Sequence, residues 1–106
     1  ICTHKDGTKS TYNKKVGFRK VEIVGNRMFV NGQQVKLRGA CRHDIHPQSG
    51  RSTTAETDSL DAVLFKEANM HSVRTSHYPP TERFLEFCDR YGIYVESETA
   101  VCFVTT

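Results

Sequence analysis

The chain has 106 residues, enough for one modest domain or a piece of a larger one and too few for two independent cores. With 37% hydrophobic and 25% charged residues and no run of about 18 apolar residues, it reads as a soluble globular chain rather than a membrane span. Fifteen Lys and Arg against twelve Asp and Glu leave a net charge of +3; the excess lies in residues 1–20, too thin and too poor in interleaved aromatics to read as a nucleic-acid surface.

In chain order, residues 1–13 are polar and mixed and read as a loop or frayed edge, and ICTHKDGTKS lacks the apolar core of a secretion signal. A strand is expected from Lys15: Val16 and Phe18 alternate with polar neighbours, and the phase resumes one step later at Val21 and Ile23, which predicts a bulge or break. Gly25-Asn26 turns the chain into RMFV. Asn31-Gly32 then separates RMFV from QQVKLRG, and that dipeptide between extended runs predicts a tight hairpin because both turn positions need positive φ.

The run from Val35 through Leu37 reads as a strand, followed by a long loop, GACRHDIHPQSGRSTTAET, in which apolar periodicity disappears. Thr53 and Glu56 have capping-box spacing, and Leu60, Val63, Leu64 and Ala68 then fall on one helical face up to Asn69. A short strand, SVRTS, leads to a His-Tyr-Pro-Pro turn whose prolines fix φ and start the next helix. In that helix Phe84, Leu85, Cys88 and Tyr91 share a face, and Gly92 ends it. IYVES is a third strand, running into TAVCFV.

The four cysteines, Cys2, Cys41, Cys88 and Cys102, form no C-x-x-C pair. Most are expected to be buried thiols, with Cys41 among strand residues and Cys88 on the apolar face of a helix. No disulfide pairing is selected by the spacing.

From Val35 onward the order is strand, helix, strand, helix, strand, which argues for βαβ units, a parallel sheet and right-handed crossovers. Functional groups in such folds gather beyond the carboxyl ends of the strands. Here those ends carry Arg42-His43-Asp44, Ser76-His77-Tyr78 and Glu96-Ser97-Glu98. A metal site built from His43, His46 and His77 is disfavoured, because His43 and His46, three apart in extended backbone, point to opposite sides. Ser76 and His77 are adjacent and diverge, so they are no nucleophile–base pair. Glu96 and Glu98 can share a face, but a retaining glycosidase pair needs its carboxyl groups about 5–5.5 Å apart across the scissile bond. One of the two is expected to pair instead with Arg74 on the neighbouring strand.

GFRKVEI, the Val-Asn-Gly hairpin, KLRGACRHDIHPQSGR, VRTSHYPP and FCDRYGIYVESE together closely resemble glycoside hydrolase family 2, particularly the bacterial β-galactosidases and, at one remove, the β-glucuronidases. The resemblance runs from Val16 to Val104. It implies an α/β fold: part of a (β/α)8 TIM barrel, its first three strands and two helices, preceded by a β-strand and hairpin. Residues 1–24 are thereby expected to end an immunoglobulin-like β-sandwich and residues 25–106 to begin the catalytic barrel. A complete barrel takes about 250 residues, so the chain holds only part of one.

The resemblance further implies a retaining hydrolase of terminal β-galactosides, with β-glucuronidase, β-mannosidase and a non-catalytic sugar-binding module as alternatives. Its substrate-binding residues are His43 and His77, with Asp44 at a family acidic position where it contacts substrate or orients neighbours. The partner is a carbohydrate; neither nucleic acid nor membrane is expected, and a bacterial compartment, periplasm or cytoplasm, is left open. Cys102 and Val104 occupy the places of a family Glu-x-His metal motif, so no metal or other cofactor is expected. The family's acid/base glutamate lies in an Asn-Glu pair and its nucleophile after the seventh strand; no Asn-Glu pair occurs in this chain. No catalytic residue is therefore expected here, and the isolated chain should be inactive, needing the rest of the barrel and self-associating without it.

Overall fold

The structure, a computed structural model, describes residues 1–101. It divides into two compact units, one of residues 1–36 and one from Leu37 onward.

In the first unit, β1 (Cys2–Thr3) pairs antiparallel with β2 (Lys9–Ser10), where a loop was expected. A local turn makes this possible: the Asp6 carboxylate accepts from Thr8 N–H at 3.0 Å and from its hydroxyl at 2.7 Å. A three-stranded meander follows, β3 (Val21–Val24), β4 (Arg27–Val30) and β5 (Gln33–Val35). Asn31 and Gly32 both have positive φ, 50° and 79°, as the hairpin reading requires. The expected strand from Lys15 does not form. Pairing ends beyond Val21–Val30, where Asn31 enters the turn: its backbone N–H donates to the Lys20 carbonyl at 2.8 Å and its side chain accepts from the Lys20 N–H at 2.9 Å. Val16 and Phe18 are left exposed.

The second unit is β6 (Gly39–Arg42), α1 (Ala55–Glu67), β7 (Ser72–Thr75), α2 (Glu82–Tyr91) and β8 (Tyr94–Ser97). The strands are parallel in the order β6-β7-β8, with Arg42, Thr75 and Ser97 in register at their carboxyl ends. This is the expected alternation, with the first strand displaced: Val35 closes the meander, and GACR, expected in a loop, is the strand. β6 lies so near β7 at its start that a Cβ on residue 39 would sit 1.7 Å from the Ser72 carbonyl oxygen.

The capping residue of α1 is Thr54, one position later than expected; it exchanges hydrogen bonds with Thr57 rather than with a glutamate. The buried residues of α1 are Asp58 and Ala62, whereas Leu60 and Leu64 are about half exposed. Two residues correspond to about 200° around a helix, so the leucines lie opposite the face that meets the sheet. α2 follows its expected phase: Phe84 and Cys88 are buried, Thr81 caps its start, and Gly92, at φ 66°, ends it. Ala62, Val73, Phe84, Cys88 and Ile93 form the core, with Phe65, Phe87, Tyr91 and Val95 packed around it.

Val73 packs against the helices, so alternation turns Arg74 to the opposite face of the sheet, with its register neighbours Cys41 and Glu96. No other described element of this unit covers that face. Cys41 is therefore exposed, as is Cys2, contrary to the expectation of buried thiols. Burial pushes the Cys88 thiol up to about 12 and keeps it protonated. An aromatic disulfide reagent at pH 8, followed by peptide mass spectrometry, should modify Cys2 and Cys41 at least about tenfold faster than Cys88. The folded pKa exceeds that of the unfolded thiol, so the unfolded state releases its proton first and the Cys88 contribution to stability should decline from about pH 9 to about pH 12. Equal labelling of all three thiols would contradict this packing.

Candidate functional site

The three parallel strands bring their carboxyl ends side by side, and each end contributes to a common patch. β6 delivers His43, β7 delivers His77 and Tyr78, and the turn after β8 delivers Glu98. The His43 and His77 rings meet edge to face with centroids 5.1 Å apart, and the Tyr78 ring lies 6.0 Å from His43. Nδ1 of His77 is 3.5 Å from one carboxylate oxygen of Glu98, whose other oxygen is 2.7 Å from the Arg74 guanidinium. Of the two glutamates weighed as a pair, then, Glu98 joins the site and meets Arg74, while Glu96 stays exposed on the strand.

Thr75 fixes the turn that carries Glu98: its hydroxyl accepts from the Glu98 N–H at 3.2 Å. The peptide bond between Ser76 and His77 is cis. The Ser76 hydroxyl is buried and has no hydrogen-bond partner among the described residues, His77 included, so His77 does not activate it as a nucleophile. His46 is held in a separate turn by paired backbone bonds with Gly50, at 2.7 and 2.9 Å, and does not join the other two histidines.

Beneath the histidines is a charged cluster. Arg42, 7% exposed, reaches three carboxylates with three different nitrogens: Nη1 to Asp44, Nη2 to Asp58 at 2.7 Å and Nε to Asp61 at 2.7 Å. Its guanidinium carbon lies 3.9 Å from the centre of the Phe84 ring. Burial works against the charge on Arg42, but the hydrogen bond to Asp61 and the attraction of Asp61, Asp44 and Asp58 outweigh it and hold the guanidinium above its ordinary value. Asp58 is fully buried and also accepts from the Thr81 hydroxyl at 2.8 Å, which joins the start of α2 to α1 and to the end of β6.

The predicted residues His43, His77 and Asp44 thus meet in one neighbourhood. Sequence reasoning missed the participation of Asp58, Asp61 and Thr81. The available signal was an aspartate one helical turn before Ala62, on a face that must turn inward if Leu60 and Leu64 do not. The surface so built offers imidazole donors and acceptors, a carboxylate and an aromatic ring, groups that suit a neutral, hydroxyl-rich ligand. Among the described residues no group of three or more His, Cys, Asp or Glu side chains is placed to hold a metal ion. Cys102 and Val104, which stand at the places of the family's Glu-x-His metal motif, lie outside the described residues, and a valine side chain has no atom to donate.

Residues 21–105 match the family model described as "Glycosyl hydrolases family 2, TIM barrel domain". A β-galactosidase of Staphylococcus xylosus is 42% identical over 88 residues, covering 83% of this chain and 9% of that enzyme. The β-galactosidase large subunit of Latilactobacillus sakei is 42% identical over 83 residues, covering 78% of this chain and 13% of the subunit. Among solved structures, a Faecalibacterium prausnitzii β-glucuronidase superimposes with a TM-score of 0.78 at 38% identity, over 83% of this chain and 15% of its own. The chain therefore spans about a tenth of the length of the curated relatives it matches.

Proposed function

Because the chain belongs to glycosyl hydrolase family 2, we propose that it supplies the first three strands and two helices of a (β/α)8 barrel in a longer enzyme that hydrolyses terminal β-galactosides with retention of configuration. In this reading residues 1–24 end an immunoglobulin-like sandwich and residues 25–106 begin the barrel. The observation that carries it is the His43–His77 pair at the carboxyl ends of adjacent parallel strands, 5.1 Å apart and beside Glu98, the end of a β/α barrel where substrates bind.

His43 and His77 hydrogen-bond sugar hydroxyls and help to offset the positive charge of an oxocarbenium-like transition state. The acid/base and nucleophile carboxylates come from barrel strands beyond these, so the 106-residue chain by itself is inactive and gains activity only with the remainder of its barrel. The exposed sheet face and the half-exposed leucines of α1 are the surfaces that the remainder would cover, and without it they favour self-association.

The solved β-glucuronidases favour a second reading, hydrolysis of β-glucuronides. Nitrophenyl β-galactoside and β-glucuronide, given to the full gene product, separate the two. A kcat/KM at least about 100-fold higher for the galactoside is expected, and His77→Ala should lower it by about 100- to 1000-fold. The opposite preference would replace the galactosidase reading with the glucuronidase one. Saturable galactose binding by the 106-residue chain, lost in His77→Ala while the full product is inert on both substrates, would point to a binding module instead.

A further inference from the structure

Two hydrogen bonds cross between the ends of β6 and β7, one on each side of the histidines. Before them, the Ser76 N–H donates to the Arg42 carbonyl at 2.8 Å; after them, the Asp44 N–H donates to the Tyr78 hydroxyl at 3.1 Å. His43 lies between Arg42 and Asp44, and His77 between Ser76 and Tyr78, so both sit inside one closed ring of covalent and hydrogen bonds. Arg42 ties that ring to the helices, since its guanidinium holds the Asp44 carboxylate with one nitrogen and Asp58 and Asp61 of α1 with the other two.

We propose that Arg42, Asp44 and Tyr78 are positioning residues that hold the His43 and His77 rings edge to face before any ligand arrives, and that Asp44 acts through this ring rather than on the sugar. The functional consequence rests on the sugar-site reading above; the positioning itself does not. The buried Arg42 guanidinium holds one oxygen of the Asp44 carboxylate, which fixes the side chain against Arg42 and, through it, the turn that carries His43. A hydroxyl on Tyr78 is required, whereas its ring alone would serve if only packing mattered.

The test is the cross-relaxation between the two histidine rings, read by NMR on the 106-residue chain with labelled histidine. The wild-type chain should show it, as a centroid separation of 5.1 Å requires. Tyr78→Phe and Asp44→Asn each leave the buried Arg42–Asp58 contact intact and should keep the amide spectrum of α2 and β8, yet weaken the ring-to-ring signal at least about fivefold. Arg42→Lys should weaken it too, because one ammonium cannot reproduce a three-way fork. A merely structural role would lower the unfolding midpoint and leave the signal unchanged in the folded population. The proposal is overturned if the signal persists in both Tyr78→Phe and Asp44→Asn, or is absent from the wild-type chain. Hydrolysis of the nitrophenyl β-galactoside by the full gene product is read separately: a full product inert on it would count against the sugar site while the ring signal still decides the positioning.

Discussion

Replacing Arg42 by methionine should remove about 3–5 kcal/mol of folding stability, the usual cost of leaving a buried charge without its partner. Asp58 sets the size of the effect. It is fully buried, and without Arg42 its neighbours are the Thr81 hydroxyl at 2.8 Å and an Arg83 nitrogen at 3.6 Å on a half-exposed side chain. Asp44 and Asp61 are closer to water and add less. Against a total stability of about 5–15 kcal/mol for a typical domain, such a loss takes between about a fifth and all of it. Urea denaturation followed by circular dichroism reads it directly. The double variant Arg42→Met, Asp58→Leu should recover most of the loss, since a buried ion pair exchanged for apolar groups of similar size is often neutral or better. A double variant as weak as the single one would mean that the cost arises from lost packing on Phe84, which the guanidinium covers at 3.9 Å.

Gly39→Ala should be comparably damaging for a different reason. The added Cβ would lie 1.7 Å from the Ser72 carbonyl oxygen and 2.4 Å from its carbon, both backbone atoms that cannot rotate aside. The start of β6 must then separate from β7, breaking the register Gly39–Ser72. A cost of about 3 kcal/mol or more is expected, at the upper end of the range for overpacking. Gly17→Ala is the matched control, because a Cβ there meets nothing within 4 Å, and it should move the urea midpoint little. Equal effects at the two positions would show that β6 does not approach β7 so closely.

How far the sequence reaches is clearest where two residues of one type behave differently. Asn31-Gly32 predicted its hairpin correctly, because the requirement for positive φ is written into the dipeptide itself. Gly92 likewise ended α2 where expected, and the phase of Phe84 and Cys88 was right because α2 carries one continuous apolar stripe. On α1 the same reasoning chose the wrong face. Its inward line contains Asp58, which reads as solvent-facing until Arg42 and Thr81 are known to meet it. Cys41 failed for a related reason: alternation says that one face of β6 differs from the other but not which face the helices cover.

The sequence by itself determined the alternation of strands and helices, the tight turns and the family, since each rests on local conformational rules or on motifs in fixed order. It also placed His43 and His77 at strand ends, because a βαβ pattern puts them there. Only the tertiary structure decided that the two rings touch, that Glu98 rather than Glu96 meets Arg74, and that Arg42 is the buried centre of three carboxylates. Apart from Arg42–Asp44, those contacts join residues 16 to 34 positions apart. They depend on register and on which sheet face is covered, and neither quantity is encoded in the local pattern of the chain.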